Sequence, residues 1–344
     1  MGGRLDVRGG RHGIRRPVRN SRLRQHMSQM RFDDDVVIIT GAGRGLGREH
    51  ALAFAARGAA VVVNDIGVEP DGLGGSTQVA QAVVDEIVAA GGRAVADGHS
   101  VTTAEGAAAV VQTALDTFGT VSILVNNAGI IDFATLEHIS EESWRRMIAV
   151  TLDGTFQMSK AVWPHFVSRR HGRIVNTTSN AGFAGNEQLV HYGAAKLGVA
   201  GFTKALANEV GDSGITVNAI APMAVTRMNR DAFFGGADAG GDDWQADIRA
   251  GKVPMGPPAI VSPTVLWLAH RSTMLNGDIF SVSSGKVARV GFVVGEGYFN
   301  PDHGPEDLRD NLDTLRSLDG ALDPRSTLDE LLLIPKLFGA PAAE

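Results

Sequence analysis

The sequence predicts an α/β protein with a doubly wound, mostly parallel sheet, built as one main domain with a C-terminal helical extension. Three observations support this fold class. Short apolar runs alternate with helical patterns, a glycine-rich turn separates the first run from the first helix, and polar residues follow several of the runs. Because parallel strands end at one edge of a sheet, these polar residues are expected to share a site.

The first predicted unit is a strand, a glycine-rich turn, a helix and a second strand. Apolar runs cover residues 36–39 and 59–63, and a helical pattern covers 48–57. In this context glycines let the backbone approach a pyrophosphate, and the helix N-terminus favours its negative charge. We therefore predict a dinucleotide site that includes the turn residues Gly41, Gly43, Arg44, Gly45, Leu46 and Gly47.

An acidic residue after the second strand bears on which dinucleotide binds. Asp65 lies eighteen residues after Gly47, where a carboxylate accepts hydrogen bonds from ribose hydroxyls and repels a 2′-phosphate. Arg44 favours the opposite choice, because a basic residue in the turn can pair with that phosphate. The repulsion between an unpaired Asp65 carboxylate and a 2′-phosphate dianion is harder to relieve than the loss of the Arg44 pair. We therefore expect NAD rather than NADP.

The rest of the main domain continues the alternation of helices and strands. The predicted helices cover residues 77–90, 103–118, 141–169, 192–210 and 262–270, and the predicted strands cover 93–97, 121–126, 173–177, 215–220 and 277–282. This order predicts a parallel sheet with its ligand at the carboxyl ends of the strands.

Composition divides the chain into further segments. Residues 1–31 hold nine arginines and one acid without an apolar h-region, so we expect a basic, disordered tail and not a secretory signal. The main domain covers 32–285. Within it, residues 223–258 interrupt the rhythm, and we expect a lid over a substrate pocket. Residues 286–344 form the extension.

The composition also excludes several classes of protein. The chain has no cysteine, so disulfides and thiolate chemistry are absent, and no histidine spacing typical of a metal site occurs. No apolar run approaches the roughly 18 residues of a membrane span. The net charge is −6 in spite of the basic tail, which argues against nucleic-acid binding by the main domain. We expect a cytoplasmic protein that acts on a small molecule without a metal.

A tyrosine and a lysine follow the fifth predicted strand. Tyr192 and Lys196 are four residues apart and lie on one face of a helix. Tyrosine's unperturbed pKa is about 10, so a base near neutrality requires a fall of about three units, or roughly 4 kcal/mol. A lysine charge about 4 Å away supplies that order of energy at an effective dielectric of about 20. Ser179 lies thirteen residues before Tyr192 and could hydrogen-bond the oxygen that Tyr192 protonates or deprotonates.

Together these motifs resemble those of the short-chain dehydrogenase/reductase family. The order and spacing match over about residues 33–285, in Thr40-Gly41-x-x-x-Gly45-x-Gly47, Asn126-Asn127-Ala128-Gly129, Ser179 and Tyr192-x-x-x-Lys196. The resemblance implies a Rossmann fold and NAD(P)-dependent interconversion of an alcohol and a carbonyl compound.

The resemblance also implies a role for each motif residue. Tyr192 would be the general acid/base, Ser179 would orient the carbonyl, and Lys196 would lower the pKa of Tyr192 and bind the nicotinamide ribose. Further coenzyme contacts are implied for Ser100, Val101, Asn127, Ala128, Gly129, Pro222 and Thr226.

Three positions depart from the family's pattern. Thr151 stands where the family usually has a catalytic asparagine that links Lys196 to a water-mediated proton relay. Met223 follows Pro222 where a glycine is usual, and His99 lies near the place of the acid beside the adenine. Thr151 and Met223 are the only support for an alternative in which the chain is a non-catalytic dinucleotide-binding scaffold or sensor.

A narrower resemblance concerns one branch of the family. Val63-Asn64-Asp65-Ile66-Gly67 and Ala161-Val162-Trp163-Pro164-His165 are similar to the (3R)-hydroxyacyl-CoA dehydrogenase part of peroxisomal multifunctional enzyme type 2, also classed with 17β-hydroxysteroid dehydrogenases. This implies oxidation of a secondary alcohol on a bulky, lipid-like substrate, either a 3-hydroxyacyl-CoA or a steroid or similar alcohol. It also implies a homodimer or homotetramer built on helices 141–169 and 192–210.

Overall fold

The computed structural model describes residues 29–76, 78–228, 246, 249, 250 and 255–331. Almost all of the predicted basic tail and most of the predicted lid lie outside the described residues, as do residues 332–344.

The described residues form eight strands and eleven α-helices. The strands are β1 Val36–Thr40, β2 Ala60–Asn64, β3 Arg93–Asp97, β4 Ile123–Asn126, β5 Gly172–Thr177, β6 Ile215–Met223, β7 Ile279–Ser283 and β8 Lys286–Val290. The helices are α1 Gly45–Ala55, α2 Gln78–Ala89, α3 Ala104–Phe118, α4 Glu141–Ile148, α5 Gly154–Arg169, α6 Asn180–Ala184, α7 Val190–Glu209, α8 Ser262–Ala269, α9 Pro305–Asp310, α10 Leu312–Arg316 and α11 Thr327–Leu331.

All eight strands belong to one sheet. Their order is β3-β2-β1-β4-β5-β6-β7-β8, and every neighbouring pair is parallel except β7 and β8. The strand order reverses direction between β1 and β4, which is where doubly wound sheets bind their ligands. The predicted fold class is confirmed.

Both faces of the sheet are buried, which explains why the strands are continuous apolar runs. Successive side chains of a strand point to opposite faces. Val37 and Ile39 therefore belong to a core formed with α1, α2 and α8. Val36 and Ile38 belong to a second core formed with α3, α5 and α7. Full burial of one such side chain stabilises the fold by about 1.5–3 kcal/mol.

The sequence predicts a single helix over residues 141–169, but the structure divides this segment into two helices. A π-helical turn, Ala149–Asp153, separates α4 from α5. At the start of α5 the Thr155 hydroxyl donates a hydrogen bond back to the Thr151 carbonyl of this turn at 2.8 Å, and such bonds compete with the regular helical ladder. Gly154 follows directly, where a Cβ would lie 2.9 Å from a Val101 methyl group.

The last strand was not predicted from the sequence. A two-residue turn, Ser284 with φ 49° and Gly285 with φ 82°, joins β7 to β8, and two positive φ angles are typical of a tight hairpin. The sheet therefore continues past the expected boundary at residue 285 into the extension. Asp278 anchors the hairpin by accepting hydrogen bonds from Arg289 and Arg325, each at 2.9 Å.

None of the helices in the described ranges combines the length and the apolar character that a bilayer-spanning segment requires.

Candidate active site

The predicted site residues meet at the carboxyl edge of the sheet. Because β1, β2, β4 and β5 are parallel neighbours or next neighbours, the segments after them lie side by side. They carry the glycine turn after β1, Asp65 after β2, Asn127 after β4 and Ser179 after β5. Helix α7 brings Tyr192 and Lys196 to the same edge.

The glycine turn has a backbone that side chains would disrupt. Gly41 and Gly45 adopt left-handed φ angles of 62° and 53°. A Cβ on Gly47 would lie 2.2 Å from the Gly41 carbonyl oxygen, and one on Gly43 would lie 2.9 Å from an Asp65 carboxylate oxygen. Helix α1 has no side-chain cap and no acid in its first turn, within the described residues. Its N-terminal amides are thus available to an anion such as a pyrophosphate.

Two backbone amides hold the Asp65 carboxylate at the end of β2. One oxygen accepts from the Gly43 amide at 2.8 Å and the other from the Gly67 amide at 2.6 Å. A carboxylate has about four lone-pair positions, so each oxygen keeps acceptor capacity for a ribose hydroxyl. The arrangement ties the acid to the glycine turn and sets its orientation.

The segment after β4 is fastened to the glycine turn by Thr40. Its hydroxyl oxygen accepts hydrogen bonds from the Asn127 and Ala128 amides at 3.1 and 3.0 Å. The Asn127 side chain donates to the Thr40 and Gly41 carbonyls, both at 3.0 Å. Gly129 then passes close to Lys196, since a Cβ there would lie 3.2 Å from the ammonium nitrogen.

Ser179, Tyr192 and Lys196 form one cluster beyond β5. The Ser179 hydroxyl caps α6 by accepting from the Ala181 amide at 3.2 Å, and its side chain also hydrogen-bonds Tyr192. The Lys196 ammonium donates to the Thr177 carbonyl at 2.8 Å. It lies 5.8 Å from the centroid of the Tyr192 ring.

The electrostatics of this cluster differ from the sequence expectation. Burial raises the pKa of Tyr192, and the hydrogen bond with Ser179 lowers it by less. Burial also lowers the pKa of Lys196 to about 8. Burial therefore sets the direction of the Tyr192 pKa shift, which is opposite to the lowering expected from Lys196.

Thr151 is not brought to Lys196 by a hydrogen bond. Its side chain is buried, with 1% exposure, and its hydroxyl contacts the Met147 sulfur at 3.9 Å. Its carbonyl accepts from Thr155 inside the π-helical turn. A relay through the Thr151 hydroxyl, as the family pattern implies for this position, therefore has no direct contact in this structure.

The remaining predicted coenzyme residues line the same edge. The Ser100 hydroxyl bonds the Thr102 hydroxyl at 2.9 Å, and Val101 is buried against the start of α5. A Cβ on Gly45 would lie 3.8 Å from the Thr226 methyl group. Pro222 and Met223 are the last residues of β6.

His99 is close to a buried acid at the end of β3. Its ring lies 3.0 Å from the Asp97 carboxylate, which also accepts from Thr113 at 2.7 Å and Asn64 at 2.8 Å. Burial raises the pKa of Asp97, but these hydrogen bonds outweigh it and the net shift is downward.

Sequence reasoning missed a buried polar network beneath the site. The Asn126 amide donates to Asn176 at 2.9 Å and to Ser159 at 3.2 Å, and the Asn176 amide donates to Thr203 at 3.0 Å. Asn126 and Asn176 are directly opposite each other in the β4–β5 pair. An asparagine near the end of each apolar run was the available signal.

The residues present fit a nicotinamide dinucleotide. The uncapped start of α1 and the glycine turn would hold the pyrophosphate, Asp65 would hold the adenosine ribose, and Lys196 would hold the second ribose. No group of three or more potential metal ligands occurs among the residues that the structure describes. The fold and the site together define an oxidoreductase of the nicotinamide-dependent class.

Comparison with known proteins identifies the family. The model of the short chain dehydrogenase family matches residues 35–233, and the chain belongs to this family. A solved short chain dehydrogenase from Mycobacterium avium is 41% identical, with a TM-score of 0.68 over 83% of this chain and 97% of that one. The predicted enzyme class, an oxidoreductase acting on an alcohol or carbonyl group, is confirmed.

Two further relatives are informative. The peroxisomal multifunctional enzyme type 2 of Mus musculus is 39% identical over 87% of this chain, which spans only 39% of that relative's length. A solved 7α-hydroxysteroid dehydrogenase, complexed with NADH and 7-oxo glycochenodeoxycholic acid, is 30% identical, with a TM-score of 0.63 over 75% of this chain and 96% of that one. The predicted resemblance to the multifunctional-enzyme branch is confirmed.

Proposed function

We propose that the protein interconverts a secondary alcohol and a ketone on a bulky, lipid-like substrate with NAD as coenzyme. The observation that carries the proposal is the Ser179–Tyr192–Lys196 cluster beside the glycine turn, at the carboxyl edge of the sheet. A phenol paired with a serine hydroxyl, with an ammonium 5.8 Å from the ring centroid and a dinucleotide cradle beside it, fits proton transfer to or from a substrate oxygen.

Each side chain has a distinct task in this reaction. In the oxidative direction Tyr192 takes the hydroxyl proton of the alcohol, and Ser179 donates a hydrogen bond that holds the same oxygen. Lys196, whose ammonium lies 5.8 Å from the centroid of the Tyr192 ring, would hold the nicotinamide ribose beside the phenol. A bound nicotinamide coenzyme supplies the complementary chemistry, which is the uptake or return of a hydride. In the reductive direction Tyr192 returns the proton to the carbonyl oxygen.

The preference for NAD rests on Asp65. Its carboxylate is fixed by the Gly43 and Gly67 amides, so it cannot swing away from a 2′-phosphate without breaking both hydrogen bonds. Arg44 is the residue that could neutralise that phosphate, but it lies 3.6 Å from the Glu69 carboxylate. Both contacts disfavour NADP.

For the substrate we favour a 3-hydroxyacyl-CoA, on the resemblance to the multifunctional-enzyme branch. A steroid is the second candidate, since the relative solved with NADH and a steroid acid carries that substrate class in its name. Initial rates with NAD on a 3-hydroxyacyl-CoA and on hydroxysteroids separate the two. A high kcat/KM for the steroid alone would overturn our choice.

The direct test of the proposed function is Tyr192→Phe. Removing the phenol oxygen should lower kcat at least about a hundredfold, which is the lower end of the range for a lost general acid or base. Because the ring remains, the dissociation constant of NAD should stay within about a factor of two of the wild-type value. Turnover is measured by NADH absorbance and NAD binding by calorimetry. Near-wild-type turnover of the variant would exclude Tyr192 as the acid/base, and tighter binding of NADP than of NAD would exclude the Asp65 argument.

We also propose that the enzyme is a homodimer or homotetramer formed through α5 and α7. These helices expose the apolar residues Phe156 and Leu197, at 42% and 40% exposure. Large exposed apolar side chains on neighbouring helices favour association between copies.

A further inference from the structure

The segment after β2 is a closed loop rather than a simple connection. Residues 66–76 begin and end at the same place, because the Ser76 amide donates to the Ile66 carbonyl at 3.0 Å. Gly67 makes the closure possible with a φ of 72°, and a Cβ there would lie 2.0 Å from the Ser76 carbonyl oxygen. Surface loops of this length whose ends are close together are compact and are frequently functional.

This loop reaches across the sheet to segments that follow other strands. The Ile131 amide, after β4, donates to the Pro70 carbonyl at 2.8 Å. The Arg146 guanidinium, on α4, donates to the Asp71 carbonyl at 2.9 Å. Since β1 lies between β2 and β4 in the sheet, the loop passes over the carboxyl end of β1, where the glycine turn lies.

One acidic residue of the loop joins it to two arginines that follow other strands. The Arg227 guanidinium, after β6, donates to the Glu69 carboxylate and to the Val68 carbonyl, both at 2.8 Å. The other Glu69 oxygen lies 3.6 Å from the Arg44 guanidinium of the glycine turn. Glu69 therefore connects the coenzyme side of the cleft with the base of the segment after β6.

We propose that residues 66–76 form a strap over the coenzyme cleft and that Glu69, held by Arg227, is the latch that retains the coenzyme. The proposal rests on the proposed use of a nicotinamide dinucleotide. Bound coenzyme leaves only when the strap lifts, and lifting requires that the Arg227 contacts break together with the hydrogen bonds from Ile131 and Arg146. Glu69 and Arg227 are thus positioning residues and do not touch the reacting atoms.

The exposure of the latch residues suits a reversible contact. The side chains of Glu69, Arg227 and Arg44 are 62%, 35% and 43% exposed. Partly exposed ion pairs are weak individually because water and salt screen them. A latch of this kind slows coenzyme release without preventing turnover. Because salt weakens the ion pairs, it should speed coenzyme release.

The test measures the dissociation rate of NADH by stopped-flow fluorescence, with NADPH as a second probe. Glu69→Gln and Arg227→Gln should each raise the NADH dissociation rate about three- to tenfold. The rate increase of the double variant should be smaller than the product of the two single increases, because the two residues share one contact. Glu86→Gln is the matched control, since Glu86 pairs with Arg48 on the outer side of α1 and α2 at 2.6 Å; its rate should equal that of the wild type.

The possible outcomes separate this proposal from the proposed function. Unchanged dissociation rates in both latch variants, or additive effects in the double variant, would overturn the latch. A wild-type protein that releases both NADH and NADPH too fast to resolve would overturn it as well. Tight NADH binding with accelerated release in the variants, but no turnover of any secondary alcohol, would support the latch and reject the proposed function.

Discussion

At the scale of single residues, the coenzyme cradle depends on glycines, because a side chain at these positions would overlap the backbone. Gly47, in the first turn of α1, packs directly against the backbone, where a Cβ would sit 2.2 Å from the Gly41 carbonyl oxygen and 2.8 Å from the Ala42 Cα. Backbone atoms cannot rotate aside as a flexible side chain can. The position therefore tolerates no side chain without a shift of the whole turn.

Gly47→Ala should disrupt the cradle through this overlap. We expect a loss of about 1–3 kcal/mol in the free energy of unfolding, the usual cost of overpacking, and NAD affinity at least about tenfold weaker, which corresponds to 1.4 kcal/mol. Urea unfolding and calorimetry measure the two effects.

Gly119→Ala is the matched control for that change. Gly119 has a φ of 76° at the end of α3, but its Cβ position is free of contacts within 4 Å among the described residues. The control should lose about 1–2 kcal/mol of stability from the left-handed backbone alone and keep its NAD affinity. A Gly47→Ala protein with wild-type NAD binding would contradict the cradle.

At the scale of secondary-structure elements, α5 and α7 each have a buried side and an exposed apolar side. On the inner side, Phe166 and Val199 are fully buried. On the outer side, the Phe156 and Phe202 rings meet edge to face at a centroid distance of 6.5 Å. Phe156 is exposed and Phe202 is half-buried, so a partner that packs on Phe156 would contact both helices.

Phe156→Glu should therefore weaken association between subunits. A charge at a buried interface position costs several kcal/mol when it lacks a partner, and the molar mass measured by light scattering should fall towards that of the monomer at micromolar concentration. Val88→Glu is the control, because Val88 is 55% exposed on α2, away from both helices. Equal masses for wild type and Phe156→Glu would place the interface elsewhere.

At the scale of the whole molecule, a buried histidine joins two distant parts of the chain. His50 on α1 has no exposed surface, and its Nδ1 atom lies 2.8 Å from the Ser262 hydroxyl at the start of α8. Within the described residues its Nε2 atom is buried without a hydrogen-bond partner. Burial lowers the pKa of His50 from 6.5 to about 3.

This histidine should make the fold sensitive to acid. Because the folded-state pKa lies below the unfolded one, the unfolded chain binds a proton that the folded chain excludes. The stability that the neutral, buried His50 contributes to the fold is fully present above pH 6.5 and is lost as the pH falls towards 3. At pH 4.5 the loss is about 2–3 kcal/mol, at 1.36 kcal/mol per pH unit.

Replacing His50 tests this source of acid sensitivity. His50→Gln should be less stable than wild type at pH 7, but its free energy of unfolding should fall less between pH 7 and pH 4.5, as followed by urea unfolding at both values. His138→Gln is the control, since His138 is exposed and should retain the wild-type slope. Parallel losses in all three proteins would show that other groups dominate acid unfolding.

The sequence alone determined the alternation of helices and strands, the sheet's parallel character and the residues of the glycine turn. These features depend on short-range patterns: apolar runs mark buried strands, and glycines mark positions that reject side chains. The motif of Ser179, Tyr192 and Lys196 was also readable, because the three residues lie within eighteen positions along the chain.

Only the tertiary structure decided features that join distant segments or depend on burial. Three hydrogen bonds join residues that are far apart in the sequence. They are those of Asn126 with Asn176, of Arg227 with Glu69, and of the Lys196 ammonium with the Thr177 carbonyl. Strand β8 was missed because its sequence, Lys286-Val287-Ala288-Arg289-Val290, is short and carries two basic residues. It forms by pairing with β7. The sign of the Tyr192 pKa shift depends on how much water the fold removes from the phenol, and a one-dimensional pattern does not carry that quantity.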